Sequence, residues 1–249
     1  MSKPARNSVA SRSRSARVPS ARVGQILDRL EKHYGRLKPP PPTDPYQMLL
    51  HRNAGYPQSD QRCAKGFLAL KKQVGLAPKQ ILAASDEELR DAMRHGGMVP
   101  ELRAQRLREI AARVLDEFGG DMRAVLKGPL PEARRALKKF PTVADATAEK
   151  ILLFSKTAPV AAVPSNCVHV PLRLFGGDPE MARTNWHGAY RLIQDILRDA
   201  LPETCAAQIR AYLLIKQHAA ETCKLAHPRC DQCSVASLCP FFLRTPSLP

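Results

Sequence analysis

Apolar residues recur every three or four positions along most of this chain, with polar residues between them. Proline and glycine interrupt the pattern at short intervals, and no stretch alternates β-branched and polar residues as a strand does. The pattern therefore predicts an all-α protein. It places helices over residues 23–37, 45–53, 60–74, 79–84, 86–95, 100–118, 122–126, 131–138, 143–154, 166–175, 186–200 and 203–219.

Several helix ends carry recognisable signals. Ser85 is followed three residues later by Glu88, which is the pattern of a capping box. Glycine pairs at 96–97 and 119–120 supply C-terminal stops, and prolines 39–42 form a stiff connector. With 249 residues, the chain is long enough for one large domain or two small ones.

The chain is strongly basic. Lys and Arg number 39 against 23 acidic residues, a formal net charge of +16. No run of about 18 apolar residues is present, which argues against a membrane span. A charge of this size favours a polyanionic partner, and nucleic acid is the first candidate.

Residues 1–22 hold six of these cations, no acidic residue and almost no large apolar side chain. This composition predicts a disordered basic arm. Organelle transit peptides share the composition, but the rest of the chain still carries +10, which favours a nucleic-acid arm. Without the apolar region of a secretory signal, we expect a cytoplasmic protein, associated with the nucleoid in a bacterium.

Seven cysteines are present. Three stand singly within helical patterns, as small buried side chains do: Cys63, Cys167 and Cys205. The other four follow the spacing C-x6-C-x2-C-x5-C in a segment too short and too polar to build its own core: Cys223, Cys230, Cys233 and Cys239.

Three kinds of cross-link can organise such a segment. Two disulfides suit a secreted protein, and the lack of a signal peptide argues against them. Structural zinc sites usually pair two short chelating turns, whereas here one C-x2-C is flanked by single cysteines. The spacing therefore favours a larger [4Fe-4S] cluster.

Three segments carry a family resemblance: YLLIKQHAAETCKLAHPRCDQCSVASLC, PYQMLLHRNAGYPQSD and FPTVADATAEKILLF. The first resembles the cluster motif of the endonuclease III branch of the helix-hairpin-helix DNA glycosylase superfamily, including His218 and the Pro-Arg before the second cysteine. The second is similar to that family's opening helix and turn, and the third to its hairpin and following helix.

The resemblance implies two helical lobes, with DNA and an extruded base held in the cleft between them. One lobe would be a six-helix domain of residues 43–156, and the other a cluster domain built from residues 23–42 and 157–249. The four clustered cysteines would hold a [4Fe-4S] cluster. DNA is then the expected partner of a monomeric protein, and a protein partner is left open.

The family's hairpin reads roughly Leu-Pro-Gly-Val-Gly, because glycines let backbone N–H groups approach a phosphate. Here the sequence is Phe140-Pro141-Thr142-Val143-Ala144. Side chains replace both glycines, which weakens the expected phosphate contact, although the hydroxyl of Thr142 could donate instead. Thr142 and Ala144 are therefore candidate DNA contacts.

The resemblance also implies that the family's catalytic groups are missing. The lysine that attacks C1′ in lyase members falls on Ala146, and the aspartate that stabilises the developing sugar cation falls on Pro164. The glutamine that fills the gap left by the flipped base aligns with Pro57, beside Gln58. We therefore expect ordinary glycosylase and lyase chemistry to be absent.

Four polar residues near these positions are candidate replacements. Asp145 and Glu149 also suit the positive end of a helix, Lys150 a solvated face and His169 a hydrogen-bonded surface or groove. We favour these structural interpretations, and keep Asp145 and Lys150 as the catalytic candidates.

Four cations flank the clustered cysteines: Lys216, Lys224, Arg229 and Arg244. A cluster that fixes this segment would gather them on one surface, where they would displace DNA counterions. Gln58, Lys216, Lys224 and Arg229 complete the candidate DNA contacts.

Three functions remain in competition. The leading hypothesis is a DNA-binding [4Fe-4S] protein without ordinary glycosylase or lyase activity. The second is an active enzyme on an unusual modified base or on RNA that uses displaced groups such as Asp145 or Lys150. The third is a cluster-bearing electron carrier or scaffold that does not bind DNA.

Overall fold

The computed structural model describes residues 19–244. This range contains α-helices and short 3-10 turns but no strand, which confirms the all-helical prediction. None of the helices in it is both long and apolar enough to cross a membrane. The helices are α1 (Ser20–Tyr34), α2 (Pro45–Asn53), α3 (Asp60–Gln73), α4 (Pro78–Ala83), α5 (Asp86–Arg94), α6 (Pro100–Phe118), α7 (Arg123–Leu126), α8 (Leu130–Lys138), α9 (Asp145–Phe154), α10 (His169–Phe175), α11 (Met181–Thr184), α12 (Trp186–Ala200), α13 (Cys205–Glu221) and α14 (Pro240–Arg244).

The first predicted helix is wrong at both ends. α1 begins at Ser20, so the last residues of the predicted basic arm are helical, while residues 1–18 lie outside the described residues. The helix ends at Tyr34 because Gly35 adopts a φ of 74° and donates its N–H to the carbonyl oxygen of Glu31.

The predicted helix 166–175 is also shorter in the structure. α10 begins only at His169, after a turn in which the N–H of Cys167 donates to the carbonyl oxygen of Pro164 at 2.9 Å. Helices α11 and α14 were not predicted, because four or five residues are too few to show a helical period.

Two hydrophobic cores organise the helices. The first draws its buried residues mainly from α2 to α9 and includes Leu49, Leu107 and Leu152. The second draws on α1, α10, α12 and α13 and includes Leu27 and Phe175. The boundaries expected for two lobes stay a prediction.

Helix α13 contributes to both cores. Tyr212 and Leu213 pack in the first core, and Leu214 and Ile215 in the second. The ring of Tyr212 meets that of Phe154 edge-on, with centroids 5.0 Å apart. Since neighbouring residues of a helix point in different directions, an apolar run joins the two cores through one helix.

A close backbone contact sets the turn between α2 and α3. Gly66 of α3 and Gly96, which follows α5, both face the carbonyl oxygen of Ala54. A Cβ atom at either position would overlap that oxygen. Glycine is therefore required here for space, and it lets the turn of residues 54–59 lie directly on α3 and the end of α5.

Candidate functional site

The hairpin turn, residues 140–144 between α8 and α9, is held by two side chains of α2. Arg52 donates from Nε to the carbonyl oxygen and to Oγ1 of Thr142, at 3.0 and 3.2 Å. Asn53 donates from Nδ2 to the carbonyl oxygen of Pro141 at 3.3 Å. The hydroxyl of Thr142 donates to Asn53 Oδ1 at 3.3 Å, so the group expected to face phosphate is engaged within the chain.

Thr142 has a left-handed backbone, with φ of 64°. A β-branched residue is uncommon there because its Cβ crowds the backbone. This is the position of the first glycine in the hairpin that the sequence resembles. The turn thus has a glycine-type conformation although it carries a threonine. Ala144 is exposed and extended, and it precedes α9 without a side-chain cap.

Thr142→Gly is expected to be more stable than Thr142→Ala by about 1 kcal/mol. Both variants lose the hydroxyl and its hydrogen bonds, so their difference isolates the cost of a Cβ at positive φ. Urea unfolding of the two proteins measures it. At Thr147, inside α9, the alanine variant should instead be more stable than the glycine variant. A glycine variant that is less stable than the alanine variant at both positions would contradict the cost assigned to a Cβ at Thr142.

A cavity of about 370 Å³ opens between the proline connector, α2, α3, α9 and α13. We call it the lysine cavity, because Lys150 of α9 and Lys216 of α13 both line it. Met48, Tyr56 and Phe154 form part of its apolar wall. Its other polar lining residues are His51, Arg52, Gln58, Asp60, Cys63 and Thr147.

The two lysines differ in their partners. Lys216 forms an ion pair with Asp60, whereas Lys150 makes no hydrogen bond or ion pair with any residue between 19 and 244. Burial lowers the pKa of Lys150, and the nearby charge of Lys216 lowers it further. A larger fraction of the Lys150 amine is therefore neutral, which is the nucleophilic form.

His51 experiences the same charges. Burial lowers the pKa of its imidazole, and the charge of Lys150 lowers it further. Lys150→Met is therefore expected to raise the pKa of His51 towards its usual value, because a charge that disfavours the imidazolium is removed. NMR titration of the His51 ring measures this. Lys156→Met, which removes an exposed lysine just after α9, should leave the pKa of His51 unchanged. An unchanged pKa of His51 in both variants would contradict the electrostatic effect of Lys150 on His51.

Only some residues singled out from the sequence line the lysine cavity. Gln58, Lys150 and Lys216 do so. Ala146 packs against the second core, and Pro164 is buried, and neither belongs to the cavity wall.

The candidate carboxylates also lie outside the cavity wall. Asp145 pairs with Lys138 at 2.9 Å on the exposed side of the hairpin. Glu149 is buried and pairs with Arg134 at 2.7 Å, and burial raises the pKa of its carboxyl group. The structure thus favours the structural interpretation for both acids and leaves Lys150 as the group that faces open space.

The sequence analysis missed His51, Asp60 and Cys63 as lining residues. Asp60 follows Ser59, whose hydroxyl caps α3, so its carboxylate looked like an ordinary first-turn acid. His51 and Cys63 occupy unremarkable helical positions. The one available signal was that residues 45–60 belong to a segment that resembles a DNA glycosylase.

The four cysteines near the C-terminus line a second cavity, which we call the cysteine cavity. All four thiols are unpaired. Burial raises the pKa of Cys223 and Cys230, and raises that of Cys233 to about 11, so metal binding would have to displace their protons. Between residues 19 and 244, no group of three or more His, Cys, Asp or Glu side chains is arranged to hold a metal ion.

The donor set of the cysteine cavity fits a [4Fe-4S] cluster. Four cysteines line one cavity, which is the number and type of ligand that the cube requires. Each iron of a cube binds its own cysteine, whereas the sulfurs of a zinc site all lie about 2.3 Å from a single ion. A cluster therefore needs its sulfurs further apart than zinc does.

Arg173 of α10 anchors the loop that carries the first cysteine. It is 7% exposed and donates from Nη1 to the carbonyl oxygen of Lys224 at 2.7 Å and from Nη2 to that of Leu225 at 2.8 Å. Its Nη1 also lies 3.5 Å from Sγ of Cys223. His169 Nε2 lies 3.1 Å from the carbonyl oxygen of Cys223, which makes His169 a residue that positions the loop.

The four predicted flanking cations do not share one place. Arg229 is exposed and lines the cysteine cavity, and Arg244 is exposed at the end of α14. Lys224 bonds to the carbonyl oxygen of Ala220. Lys216 lines the lysine cavity and pairs with Asp60, and its role as a DNA contact stays a prediction.

The known proteins to which this chain is similar include ones named as endonuclease III and as a DNA glycosylase. No protein-family model matches the chain. It is similar to "Endonuclease III" of Thermotoga maritima, with 23% identity over 202 residues that cover 81% of this chain and 85% of that protein. It is also similar to "Thymine/uracil-DNA glycosylase" of Methanothermobacter thermautotrophicus, with 24% identity over 165 residues, 66% of this chain and 67% of that protein. A solved non-covalent complex of endonuclease III with DNA matches with a TM-score of 0.70 at 20% identity, covering 91% of this chain and 98% of that one.

Proposed function

This chain has the helix-hairpin-helix DNA glycosylase fold, and we propose that it is a DNA-binding protein that holds a [4Fe-4S] cluster on Cys223, Cys230, Cys233 and Cys239. Its homologues and structural neighbours support a place in that superfamily. We further propose that ordinary glycosylase and lyase chemistry is absent. The observation that carries this is the pair Ala146 and Pro164, which stand where the resembled family has its reactive groups.

Neither position can supply the missing chemistry. The methyl group of Ala146 packs against the second core, and Pro164 is buried with no charge and no proton donor. A methyl group cannot form a Schiff base, and a proline ring cannot stabilise a sugar cation. Losing one such group typically removes orders of magnitude of rate.

Binding does not need those groups. The chain carries a net charge of +16, its hairpin turn has the glycine-type conformation, and Ala144 leaves the start of α9 open to solvent. Neutralising phosphates gives affinity without any chemistry at a base. When bound, the cluster would supply iron–thiolate bonds that fix residues 222–244, and with them Lys224 and Arg229, together with a one-electron couple.

DNA binding measured over a range of salt concentrations tests the proposal. We expect the affinity of the iron-loaded protein for duplex DNA to fall steeply as salt rises, and the double variant Lys224→Gln/Arg229→Gln to reduce the logarithmic slope by about two. The matched variant Lys71→Gln/Lys72→Gln removes two exposed cations at the end of α3 and should keep the slope. Negligible binding at low salt would favour the electron carrier or scaffold instead.

A second candidate function rests on the lysine cavity. The amine of Lys150 has a lowered pKa, has no hydrogen-bond or ion-pair partner among residues 19–244, and lines a cavity with room for a nucleoside. In an enzyme that acts on damaged DNA, this amine would add to the C1′ aldehyde of a ring-opened abasic sugar, lose water and form a Schiff base. Its place on the cavity wall favours Lys150 over Asp145, which pairs with Lys138 outside it.

Borohydride trapping on abasic DNA separates the two candidates. If the leading proposal holds, the wild-type protein gives no covalent adduct. An adduct that disappears in Lys150→Met but persists in Lys216→Met and Asp145→Ala would establish the second candidate and overturn the absence of lyase chemistry. The Lys216 variant is the matched control, because it removes the other amine of the same cavity.

A further inference from the structure

A chain of three polar side chains runs from α1 to the cysteine cavity. The hydroxyl oxygen of Tyr34 lies 2.8 Å from Oγ1 of Thr222 and 2.9 Å from Nδ1 of His218. On the other side of the imidazole ring, Nε2 lies 3.8 Å from Sγ of Cys233, within reach of a hydrogen bond to sulfur. The imidazole at the centre of this chain is buried, since His218 is 1% exposed.

The imidazole of His218 is buried between two partners, the Tyr34 hydroxyl on the Nδ1 side and the Cys233 sulfur on the Nε2 side. A neutral imidazole has one N–H donor and one lone-pair acceptor. The ring can therefore donate towards Tyr34 or towards Cys233, but not towards both.

The state of the cysteine decides between these two arrangements. A thiol can donate its S–H to Nε2, and then Nδ1 donates to Tyr34. A cysteine bound to iron is a thiolate and only accepts, so Nε2 must carry the proton. Nδ1 is then an acceptor that takes the proton of the Tyr34 hydroxyl, and the oxygen of Tyr34 in turn accepts from Thr222.

We propose that Tyr34 and His218 form a relay that donates an N–H hydrogen bond to Cys233 and raises the reduction potential of the cluster. The inference rests on the proposed [4Fe-4S] cluster. A hydrogen bond to a cysteine ligand stabilises the extra electron of the reduced state. Tyr34 favours that bond because its hydroxyl donates to Nδ1 and so stabilises the tautomer that carries the proton on Nε2.

Different polar neighbours distinguish the four cysteines. Arg173 donates to Cys223 and anchors its loop by two carbonyl oxygens, so any change there also alters the fold. His218 reaches only Cys233 among the cysteines, and Tyr34 reaches it through one hydroxyl group. The relay can therefore be altered by removing a single oxygen atom.

Tyr34→Phe removes that oxygen and keeps the ring. In the full-length iron-loaded protein we expect unchanged iron content and a more negative cluster potential in an anaerobic redox titration. At a fixed applied potential the ratio of reduced to oxidised cluster should fall about tenfold, equal to about 59 mV for a one-electron couple. Tyr46→Phe is the matched control, since this buried hydroxyl has no hydrogen-bond partner among residues 19–244 and belongs to the first core region.

His218→Gln provides a second, independent test. The glutamine amide can donate to Cys233 without help from Tyr34. The cluster potential of His218→Gln should therefore stay near the wild-type value, and adding Tyr34→Phe to this variant should not change the potential. An iron-loaded Tyr34→Phe protein with the potential of Tyr46→Phe would overturn the relay. Wild-type protein that takes up no iron would overturn both the cluster and the relay, which separates that failure from a failure of the relay alone.

Discussion

Cys239→Ala is expected to release the iron and to unfold residues 222–244. Between these residues only Cys223, Val235 and Cys239 are buried apolar side chains, so the segment has almost no core of its own. Metal–thiolate bonds in small sites of this kind contribute on the order of 10 kcal/mol to the folding of their segment. Iron analysis and limited proteolysis measure the two effects, and DNA affinity should fall with them because Arg229 loses its fixed position.

Cys205→Ala is the matched control for this variant. Cys205 is a partly buried thiol at the start of α13, outside the cysteine cavity, so the iron content and the protease resistance of the C-terminal segment should stay as in the wild type. Full iron content in Cys239→Ala would show that the four cysteines do not act as one ligand set.

Gly96→Ala is expected to destabilise the protein by roughly 3 kcal/mol, the upper end of the usual cost of overpacking. The new Cβ would overlap the carbonyl oxygen of Ala54, and a backbone oxygen cannot rotate away as the end of a side chain can. The turn of residues 54–59 must then move, and Gln58 and Asp60 with it. The midpoint of urea unfolding measures the loss of stability.

Gly24→Ala should have the opposite effect. Gly24 lies inside α1, and a Cβ there would meet nothing within 4 Å. Alanine favours a helix over glycine by about 1 kcal/mol, so this variant should be slightly more stable than the wild type. Equal stability of Gly96→Ala and Gly24→Ala would refute the close contact at Ala54.

Local chemistry made the helices predictable. α2 occupies the predicted residues because Asp44 accepts the N–H of Gln47 and caps its start. α6 begins at Pro100 and ends where Gly119 takes a left-handed conformation. The proline and the glycine are both visible in the sequence as signals for the start and the end of a helix. α10 was harder, because the turn that delays its start is closed by a backbone hydrogen bond to Pro164 that no side chain signals.

The candidate site was predictable only in part. The cysteine spacing predicted a shared site, and the four residues do line one cavity. Lys150 and Asp145 looked equally plausible as replacements, because both lie close to Ala146 in sequence. They differ in which side of α9 they occupy relative to α2 and α13, and that depends on how those helices pack.

The sequence by itself determined an all-helical chain of high positive charge and the grouping of four cysteines. Both follow from residue identity and short-range spacing. Only the tertiary structure decided that Lys150 faces an open cavity with Lys216 and that Tyr34 reaches Cys233 through His218. Such contacts join residues far apart in the chain, and they are set by the angles and distances at which whole helices pack against one another.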